Sequence, residues 1–156
     1  MKKSNLFMAV LLAVSMVFGF VGCSDDDDEK SSGIVYKCTS DEGTQTVTFN
    51  DDKTYVVHAN GSFTEEGFTV TLNLDWETGT YTGDPSKDGE IKFKKAKEVS
   101  EDTLDAVLAA AAEAGKTSIS VTNKEAPLTA VSSSTEETLT ISGGKFTMDE
   151  DEFTKQ

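Results

Sequence analysis

From Phe68 to Trp76 the chain alternates large apolar residues with polar ones. Successive side chains of a β-strand point to opposite faces of the sheet, so this pattern predicts a strand with one buried and one exposed face. The residues predicted to be buried are Phe68, Val70, Leu72, Leu74 and Trp76. Their burial contributes roughly 1.5–3 kcal/mol each, and the sum is comparable to the net stability of a domain, about 5–15 kcal/mol. We therefore expect the neighbouring strands to pair around this one.

Short runs of Thr, Val, Tyr and Phe between turn residues predict further strands on both sides of this strand. They lie at residues 34–39, 43–49, 53–59, 91–93, 117–122, 137–142 and 145–148. Asn60-Gly61 and Ser142-Gly143-Gly144 are typical of hairpin turns. Tyr81 is out of phase with Trp76, so a bulge or bend is expected at Gly79. The pattern predicts a mainly β fold.

One segment has helical periodicity instead. Its apolar residues are Leu104, Val107, Leu108 and Ala111. Ser100 is a good N-cap residue and Gly115 is placed to end the helix. The spacing predicts one helix near residues 100–114, lying against the sheet or across one end of it.

The first residues have the layout of a secretory signal. Lys2 and Lys3 precede an uncharged run over residues 6–21, which is followed by the small residue Gly22. A transmembrane helix is the alternative, but the run is shorter than the ~18–20 apolar residues that a span needs. Phe20-Val21-Gly22-Cys23 resembles the bacterial lipobox, whose cysteine is diacylated before the signal is removed. This resemblance implies an acyl lipid on Cys23.

The chain then divides into three parts. Residues 1–22 are predicted to be a lipoprotein signal peptide, residues 23–33 an acidic flexible tether, and residues 34–156 a single antiparallel β domain. If Cys23 carries lipid, Cys38 is the one remaining thiol and no internal disulfide can form. The alternative is a Cys23–Cys38 disulfide in a conventionally secreted protein. We expect Cys38 to be a small buried strand residue.

The composition restricts the partners. The formal net charge is −14, and all basic residues are lysines. An acidic chain without guanidinium groups is poorly suited to bind nucleic acid or phosphate, and anionic lipid headgroups would repel it. Membrane attachment is therefore expected to depend on the lipid anchor, and no nucleic-acid partner is expected.

The sequence lacks the usual catalytic and metal-binding patterns. His58 is the only histidine, so no histidine cluster can hold zinc, and a surface position is expected for it. No Gly-x-Ser-x-Gly motif occurs. Asp84-x-x-x-Asp88-Gly89 resembles the first half of a calcium loop, but Lys95 stands where an EF-hand needs Glu. The acidic run 149–152 is expected to be solvated.

Asp75 and Glu77 are expected on the exposed face of the central strand, beside Trp76. Paired carboxylates near a tryptophan could suggest glycosidase chemistry, but nothing in the sequence fixes their separation. We predict that the protein is not an enzyme, binds no metal, and has no cofactor other than the covalent acyl lipid on Cys23.

A lipid-anchored chain of short amphipathic strands resembles the small lipocalin-like lipoproteins of Gram-negative bacteria and spirochaetes. The segments that carry the resemblance are residues 49–55, 76–81 and 89–93, and the terminal strand pair from Thr138. The resemblance implies an antiparallel up-and-down barrel of about eight strands. A β-sandwich with a covering helix is the structural alternative. The acidic tract 25–29 resembles a surface-export tag, which implies a lipid-anchored outer-membrane protein. Both an outward-facing and a periplasmic domain stay open as alternatives.

Two functions fit such a domain. A barrel of about eight strands can hold one small apolar ligand. The candidate lining residues are Phe49, Phe68, Leu72, Trp76 and Phe93. The alternative is a surface-exposed interaction or adhesion module with a solid core, which binds an envelope or host protein through its Thr- and Asp-rich faces.

Overall fold

A computed structural model describes residues 33–65, 67–148 and 151–156. The predicted signal peptide, Cys23 and the tether up to residue 32 lie outside these residues. The described strands are β1 (Gly33–Ser40), β2 (Gly43–Asn50), β3 (Thr54–Glu65), β4 (Phe68–Thr82), β5 (Gly89–Val99), β6 (Ser118–Val121), β7 (Leu128–Ala130), β8 (Glu136–Ile141), β9 (Lys145–Met148) and β10 (Asp151–Lys155). The described helix, α1, is Glu101–Glu113.

Eight antiparallel strands form a half-barrel, which confirms the predicted mainly β fold with one helix. β1 to β5 form a meander, β10 pairs with β1, β9 with β10, and β8 with β5. β8 and β9 meet at the tight turn of Gly143 and Gly144, through an isolated bridge between Ser142 and Lys145. Both glycines have positive φ, as the predicted hairpin turn requires. β6 departs from the antiparallel arrangement, because it pairs with β4 in parallel.

The strand predicted from the alternating pattern is β4. Val70, Leu72 and Leu74 are buried as expected, whereas Phe68 and Trp76 are half-buried. β3 pairs along nearly all of β4. On its other side β4 pairs first with β6 and then with β5. β4 therefore joins the two halves of the sheet.

Among the described residues, most buried side chains belong to two clusters. The barrel cluster comprises Tyr36, Cys38, Val47, Phe49, Tyr55, Val57, Tyr81, Ile91, Phe93, Leu139, Ile141, Phe146 and Phe153. The helix cluster comprises Val70, Leu72, Leu74, Val99, Leu104, Leu108, Val121 and Ala126. Trp76 packs against both clusters, so it lies at their junction.

A β-bulge changes the phase of β4 at Trp76. Val57 of β3 pairs with Glu77 and His58 pairs with Asp75, so Trp76 is the extra residue. A second register shift lies at Gly79 in the pairing with β5, where the sequence predicted a bulge. The bulge at Trp76, which the sequence did not indicate, is the one that sets the phase of the following residues.

The hairpin turn predicted at Asn60-Gly61 is wrong, because β3 runs straight through both residues. A Cβ atom on Gly61 would lie 2.2 Å from the backbone oxygen of Glu42 and 2.8 Å from Cα of Gly43. Glycine is therefore needed here for the close approach of the β1–β2 turn, and not for a turn in β3.

The prediction that the acidic run 149–152 is solvated is wrong for Asp151. Its described residues are Asp151, which is buried, and Glu152, which is exposed, and they begin β10. Phe153 in the same strand is fully buried in the barrel cluster. β10 occupies the free edge of β1, so a segment expected to be solvated is part of the half-barrel.

The β4–β5 loop closes one end of the half-barrel. The hydroxyl of Tyr36 in β1 donates a 2.7 Å hydrogen bond to the carbonyl of Pro85, which is buried. Lys155 in β10 donates to the carbonyl of Ser86 at 3.0 Å. The backbone N–H of Gly143 donates to the carboxylate of Asp88 at 2.9 Å. These bonds tie the loop to β1, β10 and the β8–β9 turn.

Candidate functional site

The five candidate lining residues are distributed over the two buried clusters. Phe49 and Phe93 are buried in the barrel cluster. Leu72 is buried in the helix cluster, and Phe68 packs against that cluster. Trp76 alone contacts both groups. The five residues are therefore divided between the two clusters, and Trp76 lies where the clusters meet.

Aromatic rings in mutual contact occupy the interior of the half-barrel. The ring of Phe146 stacks on Phe153 at 5.1 Å between centroids and lies 4.9 Å from Tyr36. Phe49 meets Tyr81 edge-on at 5.0 Å. Each of these rings is at most 5% exposed. Such contacts add to the stability gained from burial alone.

A polar network lies at the junction of the two clusters. The hydroxyl of Tyr55 donates a 2.5 Å hydrogen bond to Oε1 of Glu77. The ammonium of Lys95 lies 2.9 Å from Oε2 of Glu77 and 2.9 Å from Oε2 of Glu98. Only 12% of the Glu77 side chain is exposed, so this carboxylate is paired and not solvated.

The sequence placed Glu77 on the exposed face with Asp75, and this prediction is wrong. Because Trp76 is the extra residue of the bulge, Glu77 lies on the same face as Val57, towards the barrel cluster. Asp75 stays on the outer face, opposite His58. The two carboxylates lie on opposite faces of the sheet, so they cannot flank one glycosidic bond.

The network shifts the pKa values of Tyr55 and Lys95. Burial, and then the hydrogen bond to Glu77, raises the pKa of the Tyr55 hydroxyl far above its ordinary value. Burial alone would lower the pKa of Lys95, but its bonds to Glu77 and Glu98 outweigh burial and raise that pKa. Tyr55 therefore stays neutral and Lys95 stays charged at neutral pH. This arrangement stabilises the junction and is not that of a general acid–base pair.

His58 lies on the outer face, as the sequence predicted. Its Nδ1 is 2.8 Å from Oδ1 of Asp75, and its Nε2 is 3.1 Å from Oδ1 of Asn73. The side-chain amide of Asn123 in turn bonds to both the N–H and the carbonyl of Asp75. Both ring nitrogens are engaged, so His58 serves to connect strands β3 and β4.

Hydroxyl groups dominate the outer face of the first four strands. Cross-strand pairs join Thr39 to Thr44 at 3.5 Å, Ser62 to Thr71 at 3.1 Å and Thr64 to Thr69 at 2.8 Å. The residues on this face therefore offer donors and acceptors to a partner outside the molecule.

The structure also describes Cys38 and the segment around Asp84, which the sequence analysis singled out. Cys38 is buried in the barrel cluster as expected, and burial followed by the carboxylates of Asp151 and Glu152 raises the pKa of its thiol. In the segment that resembled a calcium loop, the carboxylate of Asp84 accepts hydrogen bonds from Ser86 and pairs with Lys87 at 2.9 Å. These partners, Ser86 first, lower the pKa of Asp84.

Neither a metal site nor a membrane-spanning helix is found in the described part of the chain. Among residues 33–65, 67–148 and 151–156, no group of three or more His, Cys, Asp and Glu residues could hold a metal ion. Within the same residues, no helix is long and apolar enough to cross a membrane.

Comparisons with protein-family models, with curated proteins and with solved structures find no match to this chain. The lipocalin-like resemblance therefore stays a prediction.

Proposed function

We propose that the protein is a lipid-anchored protein of the bacterial outer membrane that faces outward and binds a macromolecular partner through the outer face of its β-sheet. It acts as an interaction module and not as an enzyme. The observation that carries this proposal is the packed aromatic interior of the half-barrel.

The interior supports an interaction module because a ligand carrier needs room. Pockets for small molecules have volumes of about 300–1,000 Å³. Here Tyr36, Phe49 and Phe153 are at most 2% exposed and contact neighbouring rings. The loop at Pro85 covers one end of the same cluster. The outer face of the sheet carries hydroxyl and charged side chains, and these do not pack in the core.

The position of β1 fits the proposed anchor. The chain enters the domain at Gly33, which pairs with Asn50 beside the β2–β3 turn. The Tyr81 hydroxyl donates to the carbonyl of Asn50 at 2.8 Å, so this entry point lies at the end that the β4–β5 loop closes. A tether of about ten residues spans at most ~35 Å. The closed end would face the membrane, and the outer face of the sheet would stand clear of it.

The proposal is tested by titrating the chain from Ser24 onward, which lacks the anchor cysteine, with benzene and with a long-chain fatty acid. The matched control is Phe146→Ala, which removes a ring that contacts Tyr36, Phe49 and Phe153. A buried apolar cavity of this kind binds benzene. We expect benzene to bind the variant alone and the fatty acid to bind neither protein. Saturable one-to-one binding of the fatty acid to the unsubstituted chain would contradict the proposal.

A second candidate function is the binding of a small apolar ligand at Trp76. The observation that favours it is the half-buried position of Trp76 between the two clusters, next to the polar network at Glu77. Trp76 is the only tryptophan, so its fluorescence reports on this place alone. A saturable shift of that fluorescence by the fatty acid would favour this second function.

A further inference from the structure

Three lysines of β5 and three threonines of β4 form a ladder on the outer face of the sheet. Its rungs are the cross-strand pairs Thr82–Lys92, Thr80–Lys94 and Thr78–Lys97. The three lysines are exposed, as are Thr80 and Thr82. We call these six residues the Lys–Thr ladder.

The register shift between β4 and β5 aligns Lys97 with Thr78 and so forms the third rung of the ladder. Gly79 pairs with Lys95 and Thr78 with Lys97, so Ala96 is an extra residue of β5. Lys95 points to the inner network with Glu77. Without the extra residue, strict alternation would turn Lys97 to the same inner face as Lys95. The bulge therefore places Lys97 on the outer face beside Lys94.

The ladder is positive on a strongly negative molecule. The chain carries 28 acidic and 14 basic residues. Glu136 lies opposite Lys94 on β8, but its carboxylate pairs with Lys92, at 3.4 Å. Among the described residues, no carboxylate lies within ion-pair distance of Lys94 or Lys97. These two ammonium groups are open to a partner from solution.

We propose that the Lys–Thr ladder is a docking surface for a linear anionic polysaccharide that carries carboxylate or sulfate groups. This inference rests on the proposed function, because it names the partner class of the same outer face. Alternate residues of a strand are about 6.7 Å apart, so the lysines form an extended row that matches a linear polymer. Ammonium groups attract its charges, and the threonine hydroxyls can bond to sugar hydroxyls. The net negative charge elsewhere repels the polymer and directs it to the ladder.

The test measures binding of the full acylated chain, held in vesicles of neutral phosphatidylcholine, to heparin, alginate and neutral dextran. The ladder variant is Lys94→Gln with Lys97→Gln. The matched control is Lys116→Gln with Lys124→Gln, two exposed lysines outside the ladder that give the same change in net charge. The loss of each lysine contact should weaken binding about three- to fivefold. The ladder variant should therefore bind heparin and alginate about tenfold more weakly. The control should change by less than about twofold, and added salt should weaken binding.

The ladder assignment would be overturned by equal losses in the two variants, by dextran binding as tight as alginate binding, or by polyglutamate binding tighter than either anionic polysaccharide. Self-association of the chain in light scattering that only the ladder variant loses would assign the surface to a second copy instead. If no polysaccharide binds while the fatty-acid titration stays negative, the ladder inference fails and the interaction module stands. If the fatty acid binds, the proposed function itself fails.

Discussion

The hydroxyl of Tyr55 on β3 donates a 2.5 Å hydrogen bond to the carboxylate of Glu77 on β4. The two residues are not direct partners, because Tyr55 pairs with Gly79 and Glu77 pairs with Val57. A Cβ atom on Gly79 would lie 2.7 Å from the Tyr55 ring. The missing side chain at Gly79 therefore lets the ring lie across β4 and reach Glu77.

This bond should appear as a coupling free energy. We expect Tyr55→Phe and Glu77→Gln to be coupled by about 1.5–3 kcal/mol in a double-mutant cycle of urea unfolding, because the acceptor is a charged, mostly buried carboxylate. As the control cycle, Tyr55→Phe combined with Asp84→Asn should be additive within about 0.5 kcal/mol. Additivity in both cycles would show that the bond contributes nothing.

The raised pKa of Tyr55 predicts a loss of stability at alkaline pH. The unfolded chain releases this proton near pH 10, whereas the folded chain keeps it. The contribution of Tyr55 to the free energy of unfolding should therefore be fully present below about pH 10 and should fall as the pH rises above it. One such group contributes a slope of about 1.4 kcal/mol per pH unit.

The measurement is urea unfolding between pH 8 and pH 11.5. Tyr55→Phe should start less stable and lose stability less steeply above pH 10 than the unsubstituted chain. Tyr36→Phe provides a comparison, since burial followed by Asp88 and Asp84 raises its pKa as well. The same steepness in the Tyr55→Phe variant and the unsubstituted chain would show that this hydroxyl does not keep its proton.

The sequence predicted correctly those elements that are specified by residues close together in the chain. The alternation from Phe68 to Leu74 gave the buried face of β4, and the spacing of Leu104 and Leu108 gave α1. The Gly143-Gly144 turn was equally local, because glycine adopts the positive φ seen at both residues without steric strain.

The remaining features depend on contacts between distant segments. Asn60-Gly61 has the composition of a turn, and only the approach of Glu42 shows why glycine is needed in a continuous strand. The burial of Asp151 follows from the pairing of β10 with β1, which the acidic composition hides. Glu77 turns inward because of the bulge at Trp76, and no residue type in β4 marks that position.

The two faces of β4 give a direct test of the fold. Leu72 is 8% exposed in the helix cluster, and Thr71 next to it bonds to Ser62 on the outer face. Leu72→Asp should lower the free energy of unfolding by more than about 3 kcal/mol, because a carboxylate placed among the apolar residues of the helix cluster loses its hydration. Thr71→Asp should cost less than about 1 kcal/mol. Thermal melts of the chain from Ser24 onward measure both, and equal losses would refute the assigned faces.

The anchor is tested at Cys23, which lies outside the described residues. Stable attachment to a membrane needs about two acyl chains, which a lipobox cysteine would carry. We expect the Cys23→Ser protein to leave the detergent phase in a partition experiment. In a separate experiment, protease added to intact cells should degrade the unsubstituted protein. Detergent partitioning of a processed Cys23→Ser protein would rule out the anchor. Full protection from protease would place the domain on the periplasmic side.

The most direct test of a packed core that binds its partner from outside is a crystal structure of the protein purified from its native envelope. Electron density inside the half-barrel should show only side chains, with the rings of Tyr36, Phe49, Phe146 and Phe153 in contact. Continuous non-protein density between these rings, in a cavity of about 300 Å³ or more, would contradict the account and show that the domain carries a ligand.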